Sequence, residues 1–286
     1  MNSLFFQSVT AEASRPRRWM LFLHGIFGRG SNWRGIARRL VTARPDWGAV
    51  LVDLRMHGGS QGFSPPHTLA AAVRDLEGLE ARLGQEAGGG AGGEVGCVLG
   101  HSFGGKVALS YVARRAGALD QAWIIDVPPG ALARTESAGE RLLSSSERVL
   151  ETLASLGVVF ASRGEFVSRL EAAGFPRSLA EWLAMNLVRE EERYRFAVDL
   201  GAIRALLDDF FTTDLWPVVE HPPGPVRLHM VIGEHSDTVG PADRRRLEQA
   251  AGTSGGRLAV HTLPTGHWVH VDDPEGLLAL LLHHLA

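Results

Sequence analysis

The sequence predicts an α/β protein: a mostly parallel sheet covered by helices on both faces, with a helical segment inserted into it. Three observations carry this. Short apolar runs alternate with amphipathic helical patterns along most of the chain, and such alternation folds as parallel strands joined by right-handed helical crossovers. Between residues 131 and 219 the alternation stops and only helical patterns occur. The residues able to do chemistry crowd into loops that follow apolar runs, after Leu23, Leu54, Leu99, Ile125 and Ile232, the edge where open parallel sheets build their sites. Residues 1–130 and 220–286 are therefore expected to form the core, and residues 131–219 a helical cap over that edge.

Residues 4–9 read as an opening edge strand and 19–23 (W-M-L-F-L) as a second. The turn H-G-I-F-G at 24–28 follows. Ser31 is expected to cap a helix carrying Trp33, Ile36, Ala37, Leu40 and Val41 at helical spacing until Pro45 stops it. Residues 49–54 (A-V-L-V-D-L) form a third strand. Thr68 caps a helix to about Leu83, with Leu69, Ala72, Val73, Leu76 and Leu79 on one face. G-G-G-A-G-G at 88–93 reads as a flexible loop, since no lysine–serine pair follows to make a phosphate cradle. A buried strand at 95–99, a helix at 106–115 and a strand at 122–125 come next. The inserted segment shows helical patterns at 147–156, 163–173, 178–188 and 195–207. The chain closes with a strand at 226–232, a helix at 241–251, a strand at 258–263 and a helix at 274–284.

With 286 residues, 45% hydrophobic and 21% charged, the chain can build a sizeable core without metal or disulfide. A formal charge of −3 with no dominant basic stripe argues against nucleic acid as a partner. The single cysteine, Cys97, lies inside a strand and reads as a small core residue. One cysteine permits no internal disulfide, and no stretch approaches a signal peptide or membrane span, so a soluble cytoplasmic protein is expected.

Gly100-His101-Ser102-Phe103-Gly104 joins the 95–99 strand directly to a helix. G-x-S-x-G in that context is a nucleophile elbow, a turn so tight that glycine is needed on both sides of the serine. Ser102 would sit exposed at its apex, with a helix N-terminus behind it to favour developing negative charge. A serine nucleophile needs a base, and the base an orienting carboxylate. His267, in L-P-T-G-H-W just after the last strand, is the base expected among twelve histidines. His101 abuts the serine but should point elsewhere, and His270 should turn towards the last helix. Two acids end strands that can approach His267: Asp126, and Asp237 in G-E-H-S-D. Asp53 is expected to hold a neighbouring loop through backbone hydrogen bonds, and Asp272 and Asp273 to favour the start of the last helix. The oxyanion donors expected are the backbone N–H of Phe103 and that of Ile26, with Phe27 as the alternative to Ile26.

The blocks H-G-I-F-G at 24–28, D-L-R-M-H-G-G-S at 53–60, G-H-S-F-G-G at 100–105 and G-H-W-V-H at 266–270 together resemble the α/β-hydrolase superfamily, in order and spacing, across nearly the whole chain. Within it the chain is most similar to the small acyl esterases of bacteria and mitochondria. The resemblance implies an eight-stranded sheet with an inserted helical cap. It also bears on the acid. The wider family usually carries it three residues after the glycine of the Gly-Glu loop, where this chain has Ser236, while the esterase subgroup uses the aspartate ending the strand before the cap, here Asp126.

The expectation is a serine hydrolase of carboxylic esters or thioesters that needs no metal or organic cofactor. Hydrolysis of a carbon–carbon bond, or cofactor-free perhydrolase chemistry, would use the same triad. A ligand-binding receptor of the same fold is the alternative of another class. Phe160, Phe166, Trp182, Phe196, Phe210, Phe211 and Trp216 are available to line an acyl pocket or to pack the cap on itself.

Overall fold

The computed structural model describes residues 2–86, 94–115, 117–132 and 138–285, and the glycine-rich stretch at 88–93 lies outside them. In chain order the elements are β1 (Phe6–Val9), β2 (Arg18–Leu23), α1 (Arg34–Ala43), β3 (Trp47–Val52), α2 (Leu69–Glu86), β4 (Glu94–His101), α3 (Phe103–Arg114) and β5 (Gln121–Ile125). The intervening segment holds α4 (Ala138–Leu156), β6 (Val159–Phe160), α5 (Arg163–Ala172), α6 (Arg177–Leu183), β7 (Leu187–Glu190), β8 (Arg193–Phe196), α7 (Leu200–Thr212) and α8 (Trp216–Glu220). Then come β9 (Arg227–Gly233), α9 (Pro241–Thr253), β10 (Leu258–Leu263), α10 (Val269–Asp272) and α11 (Pro274–His284).

The main sheet runs β1-β3-β2-β4-β5-β9-β10. Only β1 is antiparallel to its neighbour, and every other pairing is parallel. Among the described residues the sheet has seven strands, one fewer than the resemblance implies. The seven are the seven apolar runs of the sequence. β1 is the antiparallel edge of the sheet.

Alternation along each strand sorts the core into two layers. Met20, Phe22, Ala49, Leu51, Cys97 and Leu99 pack under α1 and α11. Leu21, Leu23, Val50, Val52 and Val98 pack under α2, α3 and α9. Burying such a side chain contributes about 1.5–3 kcal/mol. Cys97 is fully buried, and burial pushes its thiol pKa up, away from reactivity.

Local capping differs from expectation at two points. The Ala71 N–H donates to Thr68 Oγ1 (3.1 Å), as the sequence predicts. Ser31, however, caps nothing: a 3₁₀ turn over Gly30–Trp33 leads into α1, and Asn32 Oδ1 accepts the Arg29 N–H (2.7 Å) in its place. Asp273 Oδ1 accepts the Gly276 N–H (2.8 Å) at the start of α11. Asp272 instead folds back to accept the Gly266 N–H (3.0 Å), bracing the loop before His267.

The intervening segment is not all helical. It contains a three-stranded antiparallel sheet, β6-β8-β7. The helical pattern at 178–188 breaks into α6, a 3₁₀ turn and β7, and 195–207 into the end of β8 and α7. The β7–β8 hairpin turns on Glu191 and Glu192, with Glu191 at φ +52°. Hairpin turns of this length favour Asn or Gly at such a position, so the sequence carried no turn signal. Among the described residues no helix is long and apolar enough to cross a membrane.

Candidate active site

Ser102 stands between β4 and α3 with φ +53° and ψ −117°. A non-glycine residue there carries strain of order 1–3 kcal/mol, so its surroundings must over-determine the turn. The Ser102 N–H donates to Ile125 O (2.9 Å), and its carbonyl accepts the Gly105 N–H (2.8 Å). A Cβ on Gly100 would stand 2.0 Å from Gly104 O, so the strand and the helix can meet here only across a glycine.

Asp126 follows β5 directly, fully buried and also at positive φ (+46°). Its carboxylate accepts three donors: the Gly233 N–H on Oδ1 (3.0 Å), and on Oδ2 the Ser236 hydroxyl (2.5 Å) and His267 Nδ1–H (2.7 Å). A carboxylate that only accepts suits this ring of donors. Asp237 is exposed. Ser236, at the position where the wider family is expected to carry its acid, is thus a donor to Asp126 after the neighbouring strand. Thr238 Oγ1 also lies 3.0 Å from His267 Nδ1.

The loop carrying His267 is held from several sides. His101 Nε2–H donates to its carbonyl (2.8 Å), and the His101 and His267 ring centres are 4.6 Å apart. So His101, expected to point away, reaches across to the histidine loop. His270 likewise stacks near His101 (4.8 Å) and Trp33 (4.5 Å).

After β2, the Gly28 N–H closes a turn onto Gly25 O (2.9 Å), with Phe27 at φ +61°. His24 anchors that turn: its Nδ1–H donates to Gly25 O (2.7 Å) and its Nε2 accepts the Leu54 N–H (3.0 Å). Both nitrogens are used in the neutral form, and burial lowers its pKa to about 4. Burial likewise lowers His57 to about 3 and His270 to about 4, and lowers His101 well below its ordinary value. His101 and His270, the imidazoles close to His267, are therefore uncharged at neutral pH. Asp53 holds the adjoining loops as expected, accepting the Gly30 N–H (2.7 Å) and the Gly59 N–H (2.8 Å). Among the described residues, the N–H groups of Ile26, Phe27 and Phe103 have no acceptor.

Ser102, His267, Ile26, Phe27 and Phe103 all line one cavity of about 180 Å³. Apart from His101 and Ser146 its remaining walls are apolar, and they come largely from the intervening segment: Val149, Leu179, Trp182, Leu183, Leu207 and Phe210. Of the seven aromatic residues considered from sequence, only Trp182 and Phe210 line it. Phe160, Phe166 and Phe196 stack on one another inside the segment, and Phe211 and Trp216 are buried in its packing. Among the described residues no charged side chain lines the cavity. Asn186 escaped the sequence reading. It is buried, and its Nδ2 donates to Phe27 O (2.8 Å), tying the intervening segment to the turn after β2. A lone polar residue at the end of an apolar helical run was its only sequence signal.

A parallel sheet with a serine on a strained strand–helix turn, and an aspartate–histidine pair in the loops after β5 and β10, defines an α/β protein with a nucleophile elbow. The chain belongs to the alpha/beta hydrolase family, whose model matches residues 20–280. It is similar to the sn-1-specific diacylglycerol lipase ABHD11 of Mus musculus, 28% identical over 99% of this chain and 85% of that one. It is also similar to the esterase YbfF of Escherichia coli, 24% identical over 99% and 98% of the two chains. Among solved structures, a marine microorganism esterase superposes with a TM-score of 0.82 over the full length of both chains at 23% identity, a likeness of fold.

Proposed function

We propose that the protein is a serine hydrolase that cleaves carboxylic esters or thioesters of small to medium, uncharged acyl groups through an acyl-enzyme. The observation that carries this is the Asp126–His267 hydrogen bond (2.7 Å) on the wall of the cavity that Ser102 also lines. With Nδ1–H donated to Asp126, the free lone pair of the imidazole is on Nε2, the base a serine needs. Ser102 Oγ attacks the acyl carbonyl as its proton passes to His267 Nε2. The N–H groups of Phe103 and Ile26 hold the oxyanion. His267 then gives the proton to the departing alcohol or thiol. A water molecule, deprotonated by His267, attacks the acyl-enzyme, and collapse releases the carboxylic acid and restores Ser102.

Asp126 fits the acid role better than Asp237, because it is buried against His267 while Asp237 is exposed. The apolar walls favour an acyl chain without charge, since a buried unpaired carboxylate would cost several kcal/mol. Relatives named as a lipase and an esterase support ester hydrolysis. The segment over the cavity acts as a cap that sets acyl size.

The test is fluorophosphonate labelling located by mass spectrometry, run beside p-nitrophenyl esters of increasing chain length. The expected result is an adduct on Ser102, turnover of the esters, and loss of at least about 10⁴-fold in kcat for Ser102→Ala. Labelling without ester turnover would move the reading to carbon–carbon or perhydrolase chemistry. Neither labelling nor turnover would leave the receptor of hydrolase fold.

A further inference from the structure

Lys106 is the only lysine in the chain, since every other Lys or Arg position is arginine. It lies one helical turn after Ser102 on α3 and is fully buried. Its ammonium donates to three backbone carbonyls: Gly130 O (2.7 Å), Phe210 O (2.7 Å) and Thr213 O (2.9 Å). All three of its protons are used. Gly130 lies where the chain leaves the sheet for the cap, and Phe210 and Thr213 lie at the end of α7, where the chain returns. The carbonyls at that helix end lack intrahelical partners and carry partial negative charge, which a cation satisfies. Asp209, Asp214 and Asp243 add a favourable field from a distance. The neck is also stitched by the Leu132 N–H to Phe211 O (2.8 Å) and the Leu215 N–H to Pro129 O (2.9 Å).

The same helix end forms part of the cavity wall. Leu207 and Phe210 line the cavity. The Phe210 ring centre lies 4.7 Å from Lys106 Nζ and 6.0 Å from the ring of Phe103, the residue after the nucleophile. A compact ammonium can gather three converging carbonyls, whereas a planar guanidinium cannot replace it in that space. This accounts for one lysine in a chain that otherwise uses arginine.

We infer that Lys106 is a positioning residue that clamps both ends of the cap to the nucleophile helix and so holds the Phe210 wall of the acyl pocket at its distance from Ser102. The inference rests on the reading of Ser102 as nucleophile. It assigns to Lys106 a hold on long acyl chains and no part in the bond-making steps, so its removal acts on binding of the chain rather than on reaction of the carbonyl.

Two measurements test it. Lys106→Met keeps the side-chain volume and removes the cation. The expected result is a rise of about tenfold in KM for an octanoate ester, with kcat for the acetate ester within about threefold and fluorophosphonate labelling of Ser102 retained. An unchanged chain-length profile in folded Lys106→Met would overturn the inference. The second measurement uses the wild-type chain, and it decides alone if Lys106→Met does not fold. Lys106 is fully buried, so in mildly alkaline buffer an amine-acylating ester reaches it only when the clamp opens. Lys106 should acylate far more slowly than the α-amino group. It should slow by a further factor of about ten when Ser102 carries an octyl rather than a methyl phosphonate, because the chain packs against Phe210. Acylation as fast as the α-amino group, or indifferent to the length of the adduct, would overturn the clamp. Failure of Ser102 to label in wild type would instead overturn the hydrolase reading, and the unmodified protein would still report whether Lys106 is shielded.

Discussion

The sheet edge and the segment inserted into it hold their functional side chains in different ways. In the core, Ser102 and Asp126 each follow a strand directly, and His267 lies in a short loop after β10. Their positions are set by parallel register and by backbone hydrogen bonds of the strands beside them, such as the Asp126 N–H to Val231 O (2.8 Å). In the inserted segment, Asn186, Trp182 and Phe210 reach the site only through contacts with distant parts of the chain. Asn186 bonds Phe27, Trp182 packs edge-on against Phe27 (6.4 Å) and Trp268 (4.7 Å), and the end of α7 hangs on Lys106. The difference teaches a division of labour under the proposed mechanism: the core would carry the reacting groups on rigid strand ends, and the insertion would adjust the backbone turn and the walls around them. Changes in the core should therefore strike kcat hardest, and changes in the insertion should act through positioning.

The largest expected effect separates the two acids. Asp126→Asn should lower kcat by about 10³–10⁴-fold, since the imidazole loses its orienting partner, and Asp237→Asn should stay within about threefold. Steady-state kinetics on p-nitrophenyl acetate measures both, and the reverse ranking would sink the assignment of Asp126.

A smaller effect is expected across the boundary between the regions. Asn186→Leu removes the donor to Phe27 O and loosens the turn that presents the Ile26 N–H. We expect kcat to fall about tenfold with KM for acetate nearly unchanged, because an oxyanion donor acts mainly in the transition state. A rise in KM alone would show that Asn186 shapes only the pocket.

Within the core, Ser236→Ala deletes one of three donors to the Asp126 carboxylate and should cost several-fold in kcat, less than Asp126→Asn or Ser102→Ala. Equal loss in Ser236→Ala and Asp126→Asn would mean that the serine, and not the aspartate, organises His267.

The last effect falls on stability and leaves the chemistry untouched. His24, His57 and His270 are buried with pKa values of about 4, 3 and 4. Their folded values lie below the ordinary one of 6.5, so on acidification the unfolded chain takes up protons first. Their contribution to stability is complete above about pH 6.5 and is lost progressively as pH falls towards 4. Urea midpoints across that window should decline, and His57→Gln should flatten the decline. A midpoint independent of pH between 4 and 6.5 would contradict the burial of these rings.

The legibility of this chain in its sequence follows the same boundary. All seven strands of the main sheet, the last helix and the loop positions of Ser102, Asp126 and His267 were readable, because buried parallel strands appear as continuous apolar runs and their connections as helical periods. The strands of the insertion were not, because runs of two to four residues are too short to display a period of two, and β6 pairs with a strand far along the chain, Val159 opposite Arg195. Ser236 and Lys106 were present inside motifs that were read, yet their roles depend on where neighbouring strands and the end of α7 fall in space.

The sequence by itself determined the fold class, the strand–turn–helix around Ser102 and the two aspartates from which an acid could be drawn, since periodicity and turn chemistry are local properties. Only the tertiary structure brought one of those aspartates, Asp126, within 2.7 Å of His267, and only it set Asn186 against the turn after β2 and Lys106 against the end of α7. Strand register and helix packing are sums over contacts between residues far apart in the chain, and no local pattern encodes them.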